Sequence, residues 1–182
     1  MSVRAILGQQ ITVKAASILA GRLVKNLGRS IDTGIEGLTH TFPTAKDIAA
    51  LGDDIQERLG VLGVIASRSA CILSLARALI QGEIILDQSA DAEQYMAKLH
   101  AIKGIGSWTA QYIALRTMSW PDAFLETDIG IKRALPGYTS KEMLALAEQW
   151  RPWRSYEMCI RDSCRGSSTL RPPLGDENDL QC

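Results

Sequence analysis

The sequence lacks the features that place a protein in a membrane or commit it to a partner by charge alone. No apolar run approaches the roughly 20 residues that a membrane-spanning helix needs. The first residues also lack the basic start, long apolar middle and small-residue exit of a cleavable signal. The formal net charge is zero and the pI is about 6.7, which excludes a polycationic coat for nucleic acids. We therefore expect a cytoplasmic protein without a membrane partner.

Cysteine is scarce, and its spacing excludes a second group of functions. Of the four cysteines, only Cys71 lies in an apolar helical pattern, where we expect a small core residue. The other three show no C-x-x-C pair and no zinc-like or ferredoxin-like spacing; they are Cys159, Cys164 and Cys182. The sequence therefore predicts no iron-sulfur cluster, no cysteine-bound metal and no structural disulfide.

Hydrophobic residues are abundant, at 46% of 182 residues, and they recur with helical periodicity. Thr12 is expected to cap a helix over residues 13–27, and Thr139 with Glu142 forms a capping box before another helix. The apolar run 84–86 is interpreted as an extended linker because it is too short for a convincing strand. Since the sequence shows neither an internal repeat nor a strand partner, the fold class is predicted to be all-α.

The composition changes after residue 156. Residues 163–169 and the pair Pro172–Pro173 lack a helical stripe, and the segment resembles no natural domain ending. We therefore predict one domain over residues 1–156, followed by a disordered or foreign tail over residues 157–182.

Residues 99–110 carry the most informative motif, two predicted helices joined by a hairpin with the sequence GIG at 104–106. Glycine has no Cβ, so the backbone of the hairpin can come within contact distance of a phosphate. The next helix is expected to begin with Ser107 as its cap, and its first N–H groups would bind the same phosphate. The predicted phosphate contacts are Gly104, Ile105, Gly106, Ser107 and Thr109.

A single carboxylate follows the hairpin. Asp128 comes after the helix predicted over residues 107–119, at the end of the segment FLETD. A lone acid delivered near a bound nucleotide suggests chemistry on that nucleotide. The simpler interpretation is that Asp128 caps the next helix, and the two roles are compatible.

Four segments together resemble one known family, in the same order and spacing: RAILGQQ at 4–10, IKGIGSWTA at 102–110, FLETD at 124–128 and WRPWRSY at 150–156. Over roughly residues 3–156 the chain is similar to the helix-hairpin-helix DNA glycosylases, and within them to the bacterial DNA-3-methyladenine glycosylase II type. The resemblance implies a helix-hairpin-helix bundle that acts as a monomer in base excision repair. It would hydrolyse the N-glycosidic bond of alkylated purines, such as 3-methyladenine, in double-stranded DNA by base flipping.

The resemblance also assigns roles in catalysis and base binding. In the family the acid after the hairpin drives the glycosidic step, and the matching residue is Asp128. Trp108 stands where bifunctional members place the lysine that forms a Schiff base, so a monofunctional enzyme is implied. Trp108 and Tyr112 would face the flipped base, because electron-rich rings attract a cationic methylated purine. The alternative is an aromatic pair that only packs in the core.

Further positions match the family's contacts with DNA and with an ion. Gln10 matches the wedge that fills the gap left by the extruded base, although a loop glutamine between two helices is the alternative. The backbone carbonyls of His100, Ile102 and Ile105 match positions that hold a monovalent cation, so a structural Na⁺ or K⁺ is expected at the hairpin and no other cofactor is required. The His100 side chain itself is interpreted as a helix surface residue.

The chain also departs from the family pattern, and other functions stay open. Because it starts at the catalytic region, we expect it to lack the N-terminal β-rich domain of the family's enzymes. Ile129 and Gly130 follow Asp128 where relatives have bulkier residues, and Asp162 replaces an aromatic of the base pocket. The alternatives are a non-catalytic helix-hairpin-helix DNA-binding module, an inactive glycosylase fragment, or an all-α interaction domain. The last explains the helices but not the hairpin, and a binding module does not need Asp128.

Overall fold

The chain is helical throughout the part that the structure describes. The computed structural model describes residues 1–88 and 91–163, the last two by their backbone alone. Within these residues there is no strand, and Ser30 and His40 form an isolated antiparallel bridge. The all-α fold class is therefore confirmed, and residues 84–86 belong to no helix or strand. None of the helices described is both long and apolar enough to cross a lipid bilayer.

Two compact units divide the chain, the first ending at Trp120 and the second beginning at Pro121. The described helices of the first unit are α1 Ser2–Leu7, α2 Val13–Leu27, α3 Ala45–Ala49, α4 Ile55–Gly60, α5 Ala66–Ile80, α6 Ala92–Ala101 and α7 Ser107–Thr117. Those of the second unit are α8 Ile129–Ala134, α9 Ser140–Ala147 and α10 Arg154–Ser163. Short 3₁₀ turns lie at Gly52–Asp54 and Glu148–Trp150.

Helix α5 organises the core of the first unit. It packs against α1, α3 and α4, while α7 packs against α1 and α6. The side chains of Cys71, Ile72 and Leu75 on α5 are buried, which confirms Cys71 as a core residue. Leu99 on α6 and Ile113 on α7 are fully buried as well. Since burying one large aliphatic side chain contributes roughly 1.5–3 kcal/mol, these contacts hold the α6–α7 pair on the core.

The helix ends use the caps that the sequence predicts. The Thr12 hydroxyl accepts the Ala15 N–H at 3.2 Å at the start of α2. The capping box of α9 is complete, because Thr139 N–H donates to Glu142 Oε2 at 2.7 Å and Glu142 N–H donates to the Thr139 hydroxyl at 3.2 Å. These local contacts set the boundaries of both helices.

Two details of the prediction are corrected by the structure. Gly106 rather than Ser107 is the N-cap of α7, and no side chain caps that helix. Helix α10 continues to Ser163, so residues 157–163, which were predicted to belong to a disordered or foreign tail, are helical and not disordered. The physical reason is Met158, which is only 8% exposed and extends the buried face of α10 past residue 156. The rest of the predicted tail, residues 164–182, lies outside the described residues.

Candidate functional site

The hairpin between α6 and α7 is a tight turn closed by backbone hydrogen bonds. Ile102 N–H donates to the Leu99 carbonyl at 3.2 Å, and Ile105 N–H donates to the Ile102 carbonyl at 3.0 Å. Gly104 has φ +99°, which glycine adopts without the strain of a side chain. A Cβ at Gly104 would lie 3.1 Å from the Cβ of Cys71, so this glycine also lets the hairpin rest on α5.

Cys71 packs against the hairpin as a buried thiol. Burial raises the pKa of the Cys71 thiol to about 11, so the thiol stays protonated at neutral pH. A protonated, buried thiol behaves as a small apolar group. Among the residues that the structure describes, no group of three or more His, Cys, Asp and Glu side chains is placed to hold a metal ion.

Gly106 forms the open side of the hairpin. Its backbone is extended, at φ −85° and ψ 178°, and a Cβ placed there would meet nothing within 4 Å. The neighbouring Ile105 side chain is buried and anchors the turn to the protein. The position predicted to approach a phosphate is therefore sterically open from outside.

Ser107 and Thr109 are placed differently from one another. Ser107 is exposed at the first position of α7, whereas Thr109 is only 3% exposed. The Thr109 hydroxyl accepts a hydrogen bond from Gln9 Nε2 at 2.9 Å and so faces the protein. The predicted phosphate contact of Thr109 is thereby restricted to its backbone N–H.

Gln10 lies on the exposed turn between α1 and α2. Its φ is +54°, in the left-handed region that non-glycine residues seldom adopt. Such a conformation costs roughly 1–3 kcal/mol and persists only where the surroundings impose it. The structure thus holds an exposed glutamine in one defined backbone conformation, and its predicted role as a wedge stays a prediction.

Trp108 and Tyr112 form a stacked pair along α7. Their ring centroids are 5.0 Å apart and their planes differ by 16°. Both side chains are partly exposed, and Tyr112 also packs against the core. The Arg116 guanidinium lies 5.6 Å from the Tyr112 ring centroid. The stacked pair of Trp108 and Tyr112, named the aromatic column here, therefore already makes a cation–π contact through Tyr112. We expect the column to make the same interaction with a cationic base.

The carbonyls predicted to bind a monovalent cation lie at the end of α6 and in the hairpin. His100 lies in the last turn of α6, where carbonyls lack donors within the helix, and its side chain is exposed. The Ile102 carbonyl accepts the Ile105 N–H, which uses one of its two lone pairs. Neutral carbonyl oxygens are ligands that suit Na⁺ or K⁺. The Na⁺ or K⁺ site at the hairpin stays a prediction.

In the second unit, Asp128 is the N-cap of α8. Its Oδ1 accepts the Gly130 N–H at 2.8 Å, and its own N–H donates to the Leu125 carbonyl at 2.9 Å. The side chain is partly buried. The interpretation of Asp128 as a helix cap is therefore correct. The cap also holds the carboxylate in a defined orientation, which a catalytic carboxylate requires.

The sequence analysis missed an ion-pair network that anchors the segment leading to Asp128. Asp122 and Arg154 are 4% and 5% exposed, and Arg154 donates through Nε to Oδ1 at 2.7 Å and through Nη2 to Oδ2 at 2.9 Å. Arg151 also donates to Asp122, and Glu148 pairs with both arginines. The available signal was the pair of arginines in the segment 150–156.

Gln9 is a second residue that the sequence analysis missed. Its Nε2 donates to the Gly104 carbonyl at 2.8 Å and to the Thr109 hydroxyl, and its own carbonyl accepts from Arg68. The first unit thus connects the Gln10 turn to the hairpin and to α7. The signal for Gln9 was its place beside Gln10 in the segment 4–10.

Comparisons with known proteins find relatives over most of the chain. The profile of HhH-GPD superfamily base excision DNA repair proteins matches residues 3–149. The chain is 38% identical over 160 residues to the probable bifunctional transcriptional activator/DNA repair enzyme AlkA of Mycobacterium tuberculosis, covering 85% of this chain and 31% of that protein. It is 38% identical over 156 residues to DNA-3-methyladenine glycosylase 2 of Escherichia coli, covering 86% of this chain and 54% of that protein. The chain thus spans from about a third to about half of the length of these relatives.

Solved structures show the same fold. The 3-methyladenine DNA-glycosylase of Archaeoglobus fulgidus matches with a TM-score of 0.71 and 23% identity, over 90% of this chain and 57% of that chain. The Schizosaccharomyces pombe 3-methyladenine DNA glycosylase in complex with abasic DNA matches with a TM-score of 0.71 and 24% identity, over 89% of this chain and 77% of that chain. At this identity the likeness concerns the fold alone.

Proposed function

Because the chain belongs to the HhH-GPD superfamily of base excision DNA repair proteins, we propose that it is a DNA glycosylase of the 3-methyladenine type. Its substrate is an alkylated purine that has been flipped out of double-stranded DNA. The observation that carries the proposal is the presence, in one chain, of a hairpin that is open at Gly106 and an oriented, partly buried Asp128. A module that only binds DNA needs the first feature and not the second.

The reaction breaks the bond between the sugar C1′ and the base nitrogen. The bonding electron pair leaves with the base, so a cationic alkylated base departs neutral and positive charge develops on the sugar. The Asp128 carboxylate stabilises this charge and orients the attacking water. The water oxygen bonds to C1′ and its proton passes to the carboxylate. The products are the free base and an abasic site.

Recognition of the base is assigned to the aromatic column, and opening of the duplex to Gln10. Trp108 and Tyr112 present electron-rich rings that bind a cationic purine by stacking and cation–π attraction. Gln10 fills the space that the base leaves in the stack. Since Trp108 occupies the position of the Schiff-base lysine, the enzyme is monofunctional.

The hairpin is assigned to binding of the DNA backbone. The backbone of residues 104–107 binds one phosphate, which carries no sequence information and therefore serves any lesion site. A Na⁺ or K⁺ ion held by the His100, Ile102 and Ile105 carbonyls would add positive charge to this contact. We expect a monomer that acts on chromosomal DNA in the bacterial cytoplasm.

A base-release assay on methylated DNA tests the proposal. The full chain is incubated with duplex DNA treated with a methylating agent, and free methylated purines are measured by chromatography. Asp128→Asn is the matched variant, because asparagine also caps helices well and so preserves α8. We expect base release to fall by about 10²–10³-fold, the usual loss when one transition-state charge contact is removed.

Each outcome of this assay is informative. If both proteins bind DNA and neither releases a base, the chain is a DNA-binding module and not an enzyme. If the chain and Asp128→Asn release methylated purines equally well, Asp128 has no role in catalysis. Circular dichroism of both proteins reports whether α8 has been preserved.

A further inference from the structure

Gln9 joins the two elements of the first unit that are predicted to contact DNA. Its side-chain amide donates to the Gly104 carbonyl at 2.8 Å, in the hairpin, and to the Thr109 hydroxyl at 2.9 Å, on α7. These partners are 95 and 100 residues away in the chain. One –NH₂ group therefore uses both of its hydrogens to connect the turn of Gln10 with the phosphate-binding hairpin.

The backbone of Gln9 is held as firmly as its side chain. The Arg68 guanidinium on α5 donates to the Gln9 carbonyl, which is the group that immediately precedes the Gln10 N–H. Gln10 then adopts φ +54°. A left-handed glutamine needs its surroundings to impose that conformation, and the contacts of Gln9 on both sides of its Cα supply the constraint.

We propose that Gln9 is a positioning residue that sets the place of the Gln10 side chain relative to the phosphate-binding hairpin. The inference rests on the proposed function, since it gives Gln10 a task on duplex DNA. A wedge works only if it enters the stack at a set distance from the gripped phosphate, because misplacement of about 1 Å is enough to lose much of a positioned group's effect. Gln9 fixes that distance through its two hydrogen bonds.

The proposal separates base extrusion from DNA affinity. Phosphate contacts by the hairpin backbone remain when Gln9 is changed, so the affinity for unmodified duplex stays the same. Extrusion of the base needs Gln10 in place, so it weakens. A residue with a merely structural role would lower the melting temperature and the affinity together.

The experiment measures both quantities on the full chain. Base extrusion is followed by the fluorescence of 2-aminopurine in a duplex, which rises when the base leaves the stack, at saturating protein. Affinity is measured by fluorescence anisotropy of an unmodified duplex. The variants are Gln9→Met, which keeps the length of the side chain and removes the donor, Gln10→Ala, and the two combined. Gln56→Met, at an exposed position on α4, is the control for the same chemical change.

Gln9→Met removes two hydrogen bonds, each worth about fivefold in an equilibrium constant, so we expect the extrusion reported by the fluorescence rise to fall by about 5–25-fold. Its affinity for unmodified duplex should stay within twofold of that of the unchanged chain. The combined variant should match Gln10→Ala, since Gln9 acts through Gln10. Thr109→Val, which removes one of the two acceptors, should give an intermediate loss and serves if Gln9→Met fails to fold.

Three results would overturn the inference. In the first, Gln9→Met extrudes the base as well as the control Gln56→Met does. In the second, Gln9→Met loses affinity and extrusion in proportion. In the third, the loss of extrusion in Gln9→Met adds to the loss in Gln10→Ala. Failure of the proposed function is distinguished by the base-release assay. If the unchanged chain extrudes 2-aminopurine and releases no methylated purine, the glycosylase proposal fails while the role of Gln9 is still read from the variants.

Discussion

At the level of single residues, the two glycines of the hairpin have different tasks. Gly104 faces inward, with a positive φ and with Cys71 3.1 Å from where its Cβ would lie. Gly106 faces outward, with an extended backbone and no atom within 4 Å of its Cβ position. A side chain at Gly104 therefore disturbs the fold, whereas a side chain at Gly106 meets only what approaches from outside.

Gly106→Val is expected to weaken DNA binding on all sequences alike. Valine fits the extended backbone at Gly106, so the fold is preserved and the side chain obstructs the phosphate. Loss of one charge-assisted hydrogen bond of about 1.5–3 kcal/mol lowers the affinity roughly 10–100-fold. Anisotropy on several duplex sequences measures it, with Gly60→Val, another glycine with open space, as the control. If the affinity for DNA is unchanged and the circular dichroism spectrum is intact, the hairpin does not contact DNA.

Trp108 makes a second prediction about a single residue. Because no amine stands at this position, base release should leave an abasic site in an intact strand. Treatment of the reaction with borohydride should trap no covalent complex of protein and DNA on a denaturing gel. Later addition of alkali should cleave the strand and show that the abasic site was present. A trapped complex would show that the enzyme is bifunctional.

At the level of the elements, the second unit depends on a buried ion pair between a loop and a helix. Asp122 lies in the segment that ends at Asp128, and Arg154 begins α10. The pair is bidentate, and Ser155 N–H donates to the Pro121 carbonyl at 2.9 Å beside it. These contacts fix the segment 121–128 against α10 and so support the placement of α8.

Asp122→Ala should destabilise the protein by roughly 3–5 kcal/mol, because it removes the bidentate partner of the buried Arg154 guanidinium and leaves it only the longer carboxylate contact with Glu148, at 3.4 Å. Urea denaturation followed by circular dichroism measures the free energy of unfolding. Asp53→Ala, at an exposed position, is the matched control and should change it by no more than about 0.5 kcal/mol. Equal small effects for both variants would show that the pair does not anchor the segment.

Thr44 and Asp47 form a capping box at the start of α3, and this box predicts that the stability of the protein depends on pH. Hydrogen bonds from the Thr44 side chain and backbone, followed by one from Arg29, lower the pKa of Asp47 to about 2. The contribution of this cap to stability is therefore complete above the usual pKa of 3.8 and is lost as the pH falls through about 2. An NMR titration of the Asp47 carboxyl should find the low pKa, and Thr44→Val should raise it toward 3.8. Titration near 3.8 in the unchanged chain would contradict the capping geometry.

At the level of the whole molecule, the described chain contains two compact units, and the matched family region ends within the second of them. Helix α10 lies beyond the matched residues 3–149. It nevertheless contributes Met158 to the buried residues of its unit, and the Arg161 guanidinium lies 4.7 Å from the Trp150 ring centroid. The stable part of the chain therefore extends past residue 156.

Truncation tests where the folded part ends. A chain ending at residue 156 should be less stable than one ending at residue 163 by at least about 2 kcal/mol, the lower limit for losing a buried methionine side chain. Thermal denaturation of both chains measures the difference. In the full chain, Met158→Ala should reproduce most of this loss, and Ile160→Ala, at a position 52% exposed, should not. If the two truncated chains are equally stable, the folded part of the chain ends at residue 156.

Local chemistry was readable in the sequence. The helix over residues 13–27, its Thr12 cap and the Thr139–Glu142 capping box were all predicted, because these features depend on contacts within about four residues. The same holds for Asp128 as the cap of α8. The hairpin was recognisable because glycines between two periodic helical segments leave few other conformations.

The contacts that position the candidate site were decided by packing. Gln9 and Gly104 are 95 residues apart, and Asp122 and Arg154 are 32 residues apart. Such pairs leave no periodic trace in a single sequence, because each partner is an ordinary polar residue until the fold brings the two together. The inward direction of the Thr109 hydroxyl has the same origin. The sequence thus specifies which helices form and where the glycine hairpin lies, and the fold alone determines which side chains hold those elements in place.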